Sequence, residues 1–150
     1  MTERSIAHGS FTVTRSYPAS PARVFKAWSN PEYKRKWFGS PKADNPEDIF
    51  EFRVGGREYN AGKMGNDIFT FDVRYQDIVP DQRIVYTYEM TMNGDRISVS
   101  LATIEIEPEG TGSRMTVVEH GAFLDGLDTV RQREEGTNAL IDALGKSLVD

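Results

Sequence analysis

Two hydrophobic periods divide the chain. From Ile49 to His120 apolar and polar residues alternate, and turn residues punctuate the run at Gly55-Gly56, Gly65-Asn66, Pro80-Asp81, Asn93-Gly94 and Glu109 to Gly112. This predicts an antiparallel meander of about six strands. From Val130 to Leu148 the period lengthens. At about 100° per residue, Thr137, Ile141, Leu144 and Leu148 fall within about 40° of a line through Val130, which is the apolar stripe of a long amphipathic helix. Asp128 or Thr129 is expected to cap it, and Glu134 and Glu135 early with Lys146 late suit its dipole. Glu134 lies near the stripe and Arg133 on its flank, so the N-terminal half is expected to face something polar.

Upstream, His8 to Tyr17 reads as a first strand, with Phe11, Val13, Arg15 and Tyr17 alternating and Pro18 ending it. Ser20-Pro21 then supplies an N-cap and a first-turn proline, and Val24, Phe25 and Trp28 form an apolar edge. Asn30-Pro31 repeats the signal, with Tyr33 and Trp37 one turn apart and a stop near Gly39 and Pro41. Two short helices joined almost without a loop should form a V-shaped pair.

Residues flanking a two-residue turn pair and share a face. Across Gly55-Gly56, this places Phe50, Phe52, Val54, Arg57 and Tyr59 together. Across Asn93-Gly94 it groups Tyr86, Tyr88, Met90, Met92, Ile97, Val99 and Leu101, with Phe69, Phe71, Val73 and Tyr75 between. Two places break the alternation. Met64 and Asp67 across Gly65-Asn66 would put Tyr59 on the wrong side, which predicts a bulge or longer loop near Gly62, and Leu101 followed by Ile104 and Ile106 predicts another near Ala102. In the last strand Met115 and Val117 point inward and carry Glu119 with them. The sum is an α+β architecture, one domain over residues 1–150. A curved antiparallel sheet of about seven strands carries two short helices after strand one, and a long C-terminal helix lies over the concave face.

Composition narrows the partners. A chain of 150 residues buries roughly 68–70% of its unfolded surface and needs no covalent staple. It has no cysteine, which excludes disulfides and thiol catalysis and makes a cytoplasmic location the expectation. A formal charge of −5 with both signs interspersed argues against nucleic acid, and Lys34, Arg35 and Lys36 read as a solvated helix face. No stretch approaches the ~20 apolar residues of a membrane span, and MTERSIAHGS lacks the apolar segment of a signal peptide.

The inner face carries the candidate chemistry. Its aromatic and Met-rich lining reads either as ordinary core or as the wall of a cavity, in which buried tyrosine hydroxyls need partners and methionines adapt to an irregular ligand. Arg57 and Glu119 are expected on the same face, either as an internal ion pair, or with Arg57 at the sheet edge reaching water, or with one of them fixing the polar end of a ligand, Arg57 matching a carboxylate or phosphate. Trp37 and Phe38 stand at the wall or mouth, and an entrance is expected near the short helices, the hairpin tips and Phe123 to Gly126. The expected ligand-facing set is Trp37, Phe52, Arg57, Tyr59, Phe69, Phe71, Tyr86, Tyr88, Met90, Val99, Val117, Glu119, Phe123, Glu134 and Thr137. Glu119 is the one candidate general acid or base, since a carboxyl in an apolar cavity has a raised pKa. No Ser/His/Asp arrangement or phosphate loop is present, and His8 and His120 lack metal-ligand spacing, so neither a metal nor a cofactor is expected.

The segments YPASPARVFKAWSNPEYKRKWFG, FRVGGRE, DIVPDQRIVYTYEM and MTVVEHGAFLDG, in this order of elements, resemble the START-like superfamily with the birch-pollen-allergen, helix-grip fold. Within it the chain is similar to the branch related to the C-terminal domain of the activator of the 90-kDa heat-shock protein's ATPase, PARVFKAWSNPEYKRKWFG being the most specific match. The resemblance covers nearly the whole chain and implies the helix-grip fold. It implies three functions: binding of a small, largely apolar molecule between sheet and helix, an enzyme of polyketide cyclase or isomerase type in the same cavity, and a co-chaperone. The eukaryotic activator has a further N-terminal domain, whereas here strand one is expected to open the chain. A homodimer through an exposed strand edge is compatible with such a sheet.

Overall fold

The computed structural model describes residues 4–38 and 48–149. Strand β1 (Ile6–Tyr17) is followed by helices α1 (Pro21–Ser29) and α2 (Pro31–Lys34). The meander comprises β2 (Ile49–Phe50), β3 (Arg57–Met64), β4 (Asp67–Val79), β5 (Arg83–Met92), β6 (Asp95–Glu109) and β7 (Gly112–Leu124), and helix α3 (Val130–Ser147) closes the fold. The seven strands form one sheet in the order β1-β7-β6-β5-β4-β3-β2, antiparallel throughout. This is the α+β helix-grip arrangement, a curved sheet with a long helix over its concave face. No helix among the described residues is long and apolar enough to cross a membrane.

Local chemistry accounts for the helical parts. The Ser20 hydroxyl accepts from Arg23 N at the start of α1, where Pro21 takes the first position. Asn30 ends α1 and also caps α2, its Oδ1 accepting from Glu32 N at 2.9 Å and Tyr33 N at 3.4 Å. One residue serving both ends removes the loop and produces the V. Gly39 and Pro41, expected at the end of α2, lie outside the described residues. Thr129 caps α3 through Gln132 N, while Asp128 Oδ1 accepts from Thr129 N just outside the helix.

Helix α3 is pressed against β1. The Tyr17 hydroxyl donates to Ile141 O at 2.8 Å, and Arg15 donates to Asp142 Oδ1 at 2.9 Å and Asn138 Oδ1 at 2.7 Å. Small residues permit the approach: a Cβ at Gly9 would lie 2.7 Å from Val130 Cβ, and one at Gly145 would lie 2.9 Å from the Tyr17 ring. Ile141 and Leu144, on the predicted stripe, are buried in a core with Phe11, Val13, Val24, Trp28, Ile104, Met115 and Val117.

The sheet corrects the predicted faces of three segments. Gly55-Gly56 is not a two-residue hairpin. Ile49 pairs with Tyr59 and Phe50 with Glu58, so Glu51 to Gly56 form a longer connection. It is folded tightly on itself, with Gly56 N donating to Arg53 O at 2.7 Å, and a Cβ at Gly56 would lie only 2.1 Å from Glu51 O. Gly65-Asn66, in contrast, is a true two-residue turn with Met64 opposite Asp67, and β3 pairs with β4 without interruption. No bulge occurs near Gly62. The conflict is resolved the other way: Glu58 shares the inner face with Val73, while Arg57 and Tyr59 face outward. The β6 irregularity falls at Ile97, which has no opposite number between the pairs Thr91–Arg96 and Met90–Ser98, not near Ala102. Ile97 and Ser98 are therefore both buried, and Val99 and Leu101 are turned outward at 44% and 40% exposure. A second bulge, unpredicted, falls at Gln76 in β4.

Candidate functional site

Three rows of paired residues bring the inner-face side chains together. Tyr75, Tyr86, Ala102, Glu119 and Phe11 lie in register across β4, β5, β6, β7 and β1, and Val73, Tyr88, Ser100, Gly121 and Gly9 form the next row. Phe71, Met90, Ser98 and Phe123 form a third. Aromatic residues thus concentrate on β4 and β5 beside smaller ones on β6, and Tyr88 reaches across the sheet to Glu119. Between these rows, the α1–α2 pair and α3 lies a cavity of about 420 Å³, within the range of small-molecule sites. Its apolar wall includes Trp28, Trp37, Phe38, Phe69, Phe71, Val73, Met90, Val117, Leu140 and Ile141. The rings interlock: Trp28 on Trp37 at 4.8 Å, Phe38 on Phe71 at 5.1 Å and Phe71 on Tyr88 at 4.6 Å between centroids.

Two polar clusters interrupt this wall. At the first, Lys34 Nζ donates to Glu58 Oε1 at 2.6 Å and lies 3.3 Å from the Tyr75 hydroxyl, which itself donates to Glu58 Oε1 at 2.5 Å. Asn60 Nδ2 donates to Glu58 Oε2 at 3.0 Å. The ammonium also faces the rings of Phe38 and Phe50 at 4.9 and 5.1 Å. Lys34 and Glu58 are 7% and 3% exposed, so each charge is compensated by the other and by shared hydrogen bonds. Burial beside the Glu58 carboxylate raises the Tyr75 phenol above its ordinary range.

At the second cluster, the Tyr88 hydroxyl donates to Glu119 Oε1 and the Thr137 hydroxyl to Glu119 Oε2 at 2.7 Å. Glu119 is 5% exposed. Burial pushes its carboxyl above the ordinary carboxylate range, an effect opposed by the hydrogen bonds from Tyr88 and Thr137 and by the nearby Arg133 charge. Burial raises the Tyr88 phenol as well, and the neighbouring Glu119 adds to it. Arg133 places Nε 2.9 Å from Asp128 Oδ2, but the N–H does not point along that line, so the contact is an ion pair and not a hydrogen bond. Its Nη1 meets Met90 Sδ at 3.0 Å.

Of the residues expected to face a ligand, the cavity wall includes Trp37, Phe69, Phe71, Tyr86, Tyr88, Met90, Val117, Glu119 and Thr137. Six others stand elsewhere. Arg57 lies on the outer face in a bidentate pair with Asp72, both contacts at 2.9 Å, and its guanidinium covers the Tyr59 ring at 5.2 Å. It forms no pair with Glu119 and holds no position from which to bind a ligand in the cavity. Tyr59 and Val99 are outward for the reasons of register given above. Phe52 packs with Phe25, Phe50 and Tyr75 behind the wall, Phe123 is buried beneath Gly121, and Glu134 is not in the wall although its carbonyl accepts from Asn138 Nδ2. His8 and His120 are exposed, and the described residues contain no group of His, Cys, Asp and Glu able to hold a metal.

Sequence reasoning missed Lys34, Glu58 and Arg133 as cavity residues. Lys34 was expected on a solvated face and is instead buried. The signal was present, because Lys34 precedes Trp37 by three residues and shares its side of the turn. For Glu58 the signal was the Gly65-Asn66 turn, which read back from Phe71 and Val73 sends Asn60 and Glu58 inward.

The model of the family described as "Activator of Hsp90 ATPase homolog 1-like protein" matches residues 18–148. No curated protein gives a significant match. Among solved structures, the Mll3558 protein from Rhizobium loti is 44% identical with a TM-score of 0.88, the alignment covering 95% of this chain and 99% of that one. A protein from Rhizobium leguminosarum is 40% identical with a TM-score of 0.90, covering 98% of both chains. DynU16, from the dynemicin biosynthetic locus, shares the fold at 17% identity and a TM-score of 0.66, over 93% of this chain and 46% of its own. With a helix-grip architecture, a cavity beneath its long helix and a family match over residues 18–148, the chain belongs to the Activator of Hsp90 ATPase homolog 1-like family.

Proposed function

We propose that this protein binds a small, largely apolar molecule, in the cytoplasm, between the sheet and α3. The observation that carries the reading is the cavity of about 420 Å³ walled by interlocked aromatic rings and reached by a few polar groups, the usual make-up of a small-molecule site. Native mass spectrometry of the purified protein against its denatured mass, with extraction of anything retained, tests the reading. A co-purifying apolar molecule at defined stoichiometry is the expected result. Absence of any adduct, together with no thermal shift from a broad panel of apolar compounds, would sink it.

One observation favours a second reading, an enzyme using the same cavity. Glu119 is a buried carboxyl with a raised pKa, bridged by two hydroxyls and open to the cavity. That is the arrangement of a general acid or base acting on a bound carbonyl compound. Here Glu119→Gln should abolish turnover and leave affinity intact, whereas equal loss of both would count against catalysis. A chaperone-activating role rests on the family alone, and is tested by whether the protein raises an Hsp90 ATPase rate at saturation.

A further inference from the structure

The polar groups around the cavity also bear on the charge of what it holds, granted the binding reading above. Among the described residues three basic side chains reach the wall, Lys34, Lys63 and Arg133. Lys34 is matched by Glu58 at 2.6 Å and Arg133 by Asp128 at 2.9 Å. Lys63 is exposed, and its place in β3 aligns it with the outward-facing Arg57 and Tyr59. Among the described residues no buried cation is therefore left over for an anionic ligand, which would instead meet the Glu119 carboxyl. An unpaired anion taken from water into such a site loses its hydration without compensation. A cation fares little better: both Glu119 oxygens already accept hydroxyl donors, and the Arg133 charge lies close by.

Of the two tyrosine hydroxyls that reach the wall, one lacks a partner among the described residues. Tyr86 lines the cavity, and among the described residues its hydroxyl makes no hydrogen bond, unlike those of Tyr75 and Tyr88. Its ring packs between theirs, with centroids 5.9 Å from each. With Glu119 and Glu58 both close enough to raise it further, the phenol stays protonated and is a donor. Its complement is a hydrogen-bond acceptor on a body flat enough to lie among Phe71, Trp37 and Phe38. We propose that the cavity selects an uncharged, flat, ring-bearing molecule whose carbonyl oxygen accepts from the Tyr86 hydroxyl, and that it rejects anions and cations of the same shape.

A matched set of probes tests this: naphthalene, 2-acetylnaphthalene, 2-naphthoate and 2-naphthylmethylammonium, titrated at neutral pH by calorimetry or competition. The ketone is expected to bind about tenfold or more tightly than either ion, reflecting the unmatched charge. Tyr86→Phe should weaken the ketone about two- to tenfold, the range of one hydrogen bond, while leaving naphthalene unchanged. Tyr59→Phe, on the outer face, is the control and should change neither. Equal or tighter binding of the naphthoate or the ammonium would overturn the charge selection, and a Tyr86→Phe variant that keeps its ketone affinity would overturn the anchor. Both results leave the binding reading standing. If none of the four probes binds, naphthalene included, the selectivity for flat rings falls, and the binding reading is then decided by the mass spectrometry and broad panel given above.

Discussion

Glu119 shows how a single residue acquires chemistry from its surroundings. Its carboxyl is pushed above the ordinary range by burial, so the folded protein holds the proton more tightly than the unfolded chain. The sign follows directly. Glu119 favours folding fully at pH below its unfolded pKa, and that contribution is lost as the pH rises through the folded value. Wild type should therefore lose stability relative to Glu119→Gln as the pH rises above the ordinary carboxylate range, read as the difference in melting temperature at each pH. Parallel curves would mean that the hydrogen bonds and the Arg133 charge offset burial and leave the carboxyl unshifted. The Lys34–Glu58 pair makes the opposite kind of statement. Lys34→Met alone strands a buried carboxylate and should cost about 3–5 kcal/mol in denaturant unfolding, whereas adding Glu58→Leu should recover most of that loss. Neither position was marked by its own residue type, since a lysine in a basic run and a glutamate beside an arginine both look solvated. They became legible only through their neighbours, Trp37 three residues on and Val73 across the turn.

At the scale of elements, the grip of α3 on β1 depends on two close approaches. Alanine at Gly145 should gain about 1 kcal/mol of helix propensity. Its Cβ would nevertheless lie 2.9 Å from a Tyr17 ring that is buried and tied to Ile141 O. Overpacking of this kind costs about 1–3 kcal/mol, so Gly145→Ala is expected to leave the protein no more stable, or less so, despite the better helix former. A clear rise in melting temperature would show that Tyr17 yields freely. The helices themselves were readable, because caps and prolines act on adjacent residues: Ser20-Pro21, Asn30-Pro31 and Thr129 each do what their chemistry predicts. The strand count was readable for the same reason, and Asn93 and Gly94, with φ of 52° and 88°, make the turn their residue types suit. Gly55-Gly56 deceived because two glycines serve equally in a folded-back connection.

For the whole molecule, the cavity is the space between the sheet and α3, bounded at one end by the α1–α2 pair. Filling it should separate binding from folding. Leu140→Trp places a large ring from α3 into this space and is expected to reduce ligand affinity more than tenfold while leaving the melting temperature unchanged or raised. Thermal shift with and without 2-acetylnaphthalene reads both effects, and retained affinity would place the ligand elsewhere.

The chain by itself determined its helices, the Asn93-Gly94 turn, the number of strands and the inward placement of Glu119, because each depends on steric and hydrogen-bonding preferences acting over a few residues. Only the tertiary structure decided which carboxylate met which cation. Arg57 was predicted beside Glu119 and pairs with Asp72, while Glu58, one residue along, took the inner face. Strand parity reverses with a single residue, so one misread connection or one bulge exchanges a surface ion pair for a buried one. Register across the sheet is settled by the pairing of all its strands at once, and it is this pairing that set Glu58, Tyr86 and Glu119 around one cavity.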